Sequence, residues 1–208
     1  VNGHATPRMH WPELFARAPT VDREAIETAL SSHRDRTTEA ASEADAAAIT
    51  DPRESQPVRV VADADVLVAD LCGDGDARAA LEPLWQHSWT TLLASDDLLA
   101  DAEAVIETVA DSDLASDWRA AIDSWREPVV HHPGDHPALA SAYRGGAMHL
   151  LSFDEGLTGA QAGATLSGRF PVSVRAPAAF AQLFDPDRLY GTVADDSYPG
   201  PNREPRSA

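Results

Sequence analysis

VVADADVLV, residues 60–68, sets two aspartates, Asp63 and Asp65, inside an apolar run. Val60, Val61, Val66, Leu67 and Val68 flank them, so the stretch reads as buried chain. A carboxylate removed from water is costly unless a counter-charge and hydrogen bonds meet it. Extended backwards, the run becomes VRVVAD (58–63), a strand that ends on Asp63. Asp65 then either belongs to a site at that strand end or caps a helix beginning at Val66.

Outward from this strand, apolar runs and amphipathic stretches alternate. ARAALEPLWQHS (77–88) has helical spacing, and TTLLAS (90–95) is a short strand. Ser95 caps a helix with Asp96 and Asp97 in its first turn, where the helix dipole favours negative charge. Its apolar face carries Leu98, Leu99, Ala102, Val105, Ile106 and Val109, and a second helix follows with Leu114, Trp118, Ile122 and Trp125. PVVHH (128–132) reads as a strand, and HPALASAYRGG as a helix ended by Gly145 and Gly146. AMHLLSFD (147–154) and FPVSVRAP (170–177) are further strands, and AAFAQLF (178–184) is a closing helix. Strands alternating with helices predict an α/β fold with a parallel sheet covered on both faces. Sites in such sheets lie at the carboxyl ends of the strands, which puts Asp63 and Asp154 in one neighbourhood.

The ends of the chain lack this pattern. Residues 1–56 read as an N-terminal extension, partly helical or flexible, in which Thr20 is the expected cap of a helix carrying Ile26 and Leu30. The Ala/Glu stretch 37–50 reads as a linker or docking helix. Residues 57–193 form the expected domain, and 194–208, rich in proline, is expected to be a disordered tail.

The formal net charge is −18, with 34 acidic residues against 16 basic ones, and every basic residue is arginine. Such a surface repels itself and polyanions at low salt, but at about 1 M salt the screening length falls to ~3 Å. Acidic excess without lysine resembles the proteins of salt-in extreme halophiles, which are archaeal and cytoplasmic in the reading that follows from it. A single cysteine, Cys72, excludes a disulfide framework within the chain and suits a reducing cytoplasm. No run approaches the roughly 18 apolar residues of a membrane span.

The motifs VVADADVLVADL, LLASDDLLADAEAVI, GDHPALASAYRGGAMHLLSFDEGL and VSVRAPAAFAQLF follow one another as they do in PIN domains, which this chain resembles over about residues 57–190. The resemblance implies a three-layer α/β/α sandwich around a mostly parallel sheet of four to five strands. It also implies endonucleolytic hydrolysis of single-stranded or structured RNA by carboxylate-bound Mg²⁺ or Mn²⁺. Asp63 matches the acid ending the first strand, Asp135 the acid before the Ala-rich helix, and Asp154 the acid after the fourth strand. Asp101 falls where Glu is usual, and Asp65 where Asn or Ser is usual. Ser152 stands for the hydroxyl residue of the last motif, with Phe153 replacing a small one. The implied metal ligands and catalytic residues are therefore Asp63, Asp101, Asp135 and Asp154, with Asp65 and Ser152 contacting water or substrate.

The residues themselves agree in part. Asp101 sits on the rim of its helix's apolar stripe, with Glu103 on the other rim as a rival and Glu107 pointing away. Converging carboxylates raise one another's pKa values unless a cation intervenes, and oxygen-only sites suit Mg²⁺ or Mn²⁺. Arg119, Arg126, Arg144, Arg169 and Arg175 adjoin the expected cleft, where each either rims it to meet RNA phosphates or makes a solvated salt bridge. HHPGDH (131–136) misses the metallo-β-lactamase pattern because Pro133 stands where its second His belongs. GDGDAR (73–78) fails the dinucleotide fingerprint at Arg78. Cys72 reads as a packing residue, and Trp85, Trp89, Trp118 and Trp125 as core. Beside the nuclease stand a catalytically inactive PIN-like module that binds RNA or protein, and the toxin of a toxin–antitoxin pair with an antitoxin partner. A homodimer is compatible with any of these.

Overall fold

The sheet is organised around β1 (Gln56–Ala62), whose last three residues, Val60, Val61 and Ala62, are all buried. In a single strand successive side chains face opposite ways, so burial of neighbours means that both faces are covered. A computed structural model describes residues 10–39, 49–73, 75–159 and 172–207. In chain order, α1 (Trp11–Arg17) and α2 (Arg23–Glu39) precede β1. After it come α3 (Ala64–Cys72), α4 (Asp76–Gln86), β2 (Thr91–Ala94), α5 (Asp96–Val109) and α6 (Ser112–Asp123). Then follow β3 (Glu127–Pro128), α7 (Pro137–Gly145), β4 (Ala147–Leu151) and α8 (Glu155–Thr158). The chain continues through β5 (Ser173–Arg175), α9 (Pro177–Leu183) and α10 (Pro186–Tyr190).

Five strands form one sheet in the order β3-β2-β1-β4-β5, and every pairing is parallel. The α/β sandwich expected from the alternation is therefore present. α7 packs along β1, β2 and β4, α3 against β1, and α2 and α5 against α3 and each other. Gly146 ends α7 with φ +71, and a Cβ there would sit 2.4 Å from the Glu54 carbonyl oxygen, so only glycine lets the chain turn into β4. Among the described residues no helix is long and apolar enough to cross a membrane.

Several boundaries differ from the sequence reading. The helix after β1 starts at Ala64, with Asp63 as its cap, so Asp65 lies in its first turn. The cap before α2 is Asp22, which accepts from the Ala25 amide at 2.9 Å, where Thr20 was expected. The strand expected at 128–132 is shorter and earlier, at Glu127–Pro128. Most of the Ala/Glu stretch, and Arg169, lie outside the described residues.

The C-terminal tail corrects the expectation of disorder. Its backbone meets α4, with the Asn202 amide donating to the Gln86 carbonyl at 2.9 Å and the Trp85 indole donating to the Glu204 carbonyl at 2.9 Å. Arg206, only 1% exposed, makes a two-pronged pair with Asp70 at 2.6 and 2.9 Å and donates to Glu82 at 2.9 Å. Its guanidinium lies over Trp11 and Trp125, 5.1 Å from each ring. A proline-rich composition lacks the apolar period that announces packing. What fixes this tail is an ion pair and aromatic faces supplied by distant segments.

Removing one partner of a buried ion pair strands the other charge. Arg206→Ala is therefore expected to lower stability by about 3 kcal/mol or more, read from urea unfolding. An unchanged midpoint would show that the tail is not fastened through Asp70.

Candidate functional site

The carboxyl edge of the sheet carries the acids. Asp63 continues the ladder of β1, its amide donating to the Leu151 carbonyl at 2.8 Å. Its side chain then caps α3 by accepting from the Ala64 amide at 2.8 Å. One residue cannot both extend a strand and cap the next helix unless the chain bends sharply there. That bend drives Asp63 and Asp65, 1% and 3% exposed, into the space between α2, α3 and the end of β4.

Asp65 is held on both oxygens. It accepts from the Val66 amide at 2.6 Å on one and from the Phe153 amide at 2.9 Å on the other. Ser152, wholly buried, points its hydroxyl at Asp63 (3.3 Å) and Asp65 (3.4 Å) and accepts from the Asp154 amide at 3.1 Å. A hydroxyl has one hydrogen, so it serves one carboxylate at a time. Burial first, and the neighbouring Asp63 charge second, push the Asp65 carboxyl up to about 7, against the backbone donors that favour its anion.

The partner that the buried carboxylates demand comes from α2. Arg34 Nε donates to Asp101 Oδ2 at 2.8 Å, and a terminal nitrogen of the same guanidinium donates to Asp63 Oδ1 at 3.1 Å. Burial works against the Arg34 charge, but Asp63 and Asp101 outweigh it and hold its pKa above the ordinary arginine value. His33 Nε2 stands 3.5 Å from the other Asp101 oxygen. Asp63 and Asp65 open onto a cleft of about 840 Å³, walled on one side by α2 and on the other by Phe153 and Asp154, while Asp101 lies behind Arg34 and does not line it.

Of the expected site residues, Asp63, Asp65 and Ser152 meet directly, and Asp101 joins them through Arg34. Asp154 lines the same cleft but is exposed, and its side chain caps α8 through the Gly156 amide at 2.7 Å. Asp135 is also exposed, on the turn closed by its amide and the His132 carbonyl at 3.2 Å, and it does not line the cleft. Glu103, the rival to Asp101, faces Arg119 at 3.4 Å instead. Of the two readings of the arginines, the salt bridge holds for Arg119 and Arg126, and neither they nor Arg144 and Arg175 line the cleft. Arg119 and Arg126 both meet Asp96 and Asp123, and Arg144 donates to the Thr50 carbonyl at 2.8 Å. Arg175 is half-buried, with its Nε lacking a hydrogen-bond partner among the described residues. Among the described residues the arginines that line the cleft are Arg23 and Arg34, which the sequence reading missed. Arg34 lies in SSHRDRTTE, a polar stretch 29 residues before Asp63, with no local signal of burial.

The donor set fits a hard cation in kind, since Asp63, Asp65, Asp101 and Ser152 offer only oxygen. The Asp63–Asp101 pair already embraces one positive group, the Arg34 guanidinium. In number the set is incomplete: among the described residues no three His, Cys, Asp or Glu side chains are grouped to hold a metal ion. Cys72 is buried, and burial pushes its thiol up to about 11, so it is a protonated packing residue at neutral pH.

A family model matches residues 54–206 and carries the description "Family of unknown function (DUF7384)". No curated protein and no solved structure matches the chain. The matched span contains Asp63, Asp65, Asp101 and the Arg206 tail; α1 and α2, with Arg34, precede it.

A raised carboxyl pKa in the folded state means that folding takes up a proton between the unfolded value near 4 and about 7. This group's contribution is therefore most favourable below pH 4 and is lost as pH rises to about 7. Wild type is expected to lose stability relative to Asp65→Asn across that window and to hold a constant difference above it. Paired urea melts from pH 4 to 8 test this, and a flat difference would mean that Asp65 ionises without cost.

Proposed function

The chain belongs to the DUF7384 family, and we propose that it is a metal-dependent endoribonuclease that hydrolyses RNA phosphodiester bonds at the Asp63 cleft. The observation that carries this reading is the convergence of Asp63 and Asp101 on one cationic group at the carboxyl edge of a parallel sheet, with Asp65 and Ser152 against them. Two buried acids facing a single cation are costly to maintain for packing alone. The PIN-like order of motifs points to the same edge.

In this reading Asp63 and Asp101 are the residues that would hold Mg²⁺ or Mn²⁺, with Asp154 at the cleft mouth bound directly or through water. When bound, the ion supplies an acidified water and neutralises charge on the scissile phosphate. In the same reading Asp65, oriented by the Phe153 amide, accepts the proton given up by the attacking water. Ser152 relays hydrogen-bond demand between Asp63 and Asp65 as their charges change. Water adds across the phosphorus–O3′ bond, leaving a 5′-phosphate and a 3′-hydroxyl. Asp135, on its exposed turn, has no assigned step.

One observation favours a second reading. Arg34 satisfies both Asp63 and Asp101 without any metal, as a catalytically inactive module that binds RNA or protein would need. The two readings part in a cleavage assay on single-stranded RNA in concentrated KCl with Mn²⁺. Wild type is expected to cut, and Asp63→Asn and Asp101→Asn to lose about a hundredfold or more of the rate. RNA retained but uncut by wild type selects the binding module, and equal cutting by all three proteins removes the Asp63 cleft from the chemistry.

A further inference from the structure

We propose that Arg34 is a built-in competitor for the cation of this site: its guanidinium occupies the place between Asp63 and Asp101 that a divalent ion takes when the end of α2 draws back. The proposal rests on the metal-dependent reading above and adds how the site is kept closed.

Geometry is the first support. One planar group reaches Asp63 Oδ1 at 3.1 Å and Asp101 Oδ2 at 2.8 Å through different nitrogens. An ion bridging the same two carboxylates has to sit between them, and two cations cannot share that space. The plug is also reachable, because the Arg34 side chain is 30% exposed while that of Asp63 is 1% exposed.

The second support is how α2 is anchored. Ile26 and Leu30 are buried, at 1% and 6% exposure. From Ser31 to Thr37 no residue is buried. That part of the helix is tied to the domain by polar contacts, those of Arg34 and of His33 with Asp101 among them. Segments with few buried apolar contacts open locally at low cost. Withdrawal of Arg34 therefore does not require the core to unpack; its cost is the stranding of Asp63 and Asp101, which an incoming divalent ion would offset.

Apparent affinity falls by the fraction of chains that are competent, so a plug seated about nine-tenths of the time weakens metal binding about tenfold. The test is Mn²⁺ binding to the full chain in concentrated KCl, read by loss of the free-ion electron paramagnetic resonance signal. Arg34→Gln is expected to bind Mn²⁺ about tenfold more tightly than wild type. Arg34→Lys, which keeps the charge without the two-sided reach, falls between them and carries the comparison if the glutamine variant does not fold. Adding Asp63→Asn to Arg34→Gln removes the gain. Arg23→Gln takes a positive charge from the same cleft, and less than about a twofold change is expected there.

Equal affinity in wild type and both Arg34 variants, abolished by Asp63→Asn, overturns the plug and leaves the metal site standing. An equal gain from Arg23→Gln also overturns it, because the effect is then long-range charge rather than occupancy. Absence of Mn²⁺ binding from every variant overturns both the plug and the metal-dependent reading.

Discussion

Two buried carboxylates from different elements, Asp63 before α3 and Asp101 in α5, must be neutralised, and the fold does this with an arginine from outside the sheet. Arg34 lies between Asp63 and Asp101, and without it α3 and α5 would present two largely buried acids to each other with no counter-charge. Asp63 cannot be moved out of this interface. Its amide completes the β1–β4 ladder and its side chain caps α3, so the backbone fixes its carboxylate where it is.

α3 is fastened at both ends in the same manner. Asp63 at its start takes Arg34 from the N-terminal region, and Asp70 near its end takes Arg206 from the C-terminal tail, with Arg78 alongside at 3.1 Å. The first of these pairs opens on a cleft; the second is sealed by Trp11, Phe15 and Trp125. The two pairs thus differ in exposure, 30% for the Arg34 side chain against 0% for Arg206. Guanidinium is the group for both, since its planar fork spans two oxygens and is less strongly hydrated than an ammonium.

Salt sharpens the same contrast. In concentrated salt the screening length shrinks to ~3 Å, so the repulsion among the 34 acidic residues is quenched at any distance beyond contact. Buried pairs are screened much less than surface charges. The Arg34 and Arg206 contacts, at 2.6 to 3.1 Å, keep their strength where the surface field does not.

Layer order and the acid edge were legible along the chain because both are local. Apolar runs of strand length, the Ser95 cap and the glycines after α7 each declare themselves within a few residues, and together they yield the parallel sheet. Burial of Asp63 and Asp65 followed from their apolar neighbours. The partners did not follow. Arg34 and Arg206 sit in polar, irregular stretches that look solvated, and a distant acid holds the first half-buried and the second wholly buried. Asp135 and Asp154 matched a motif as readily as Asp63, yet backbone turns leave the first outside the cleft and the second at its mouth. Periodicity records which face of an element is apolar. Which charge meets which is decided by approach across tens of residues, and no short-range pattern encodes that distance.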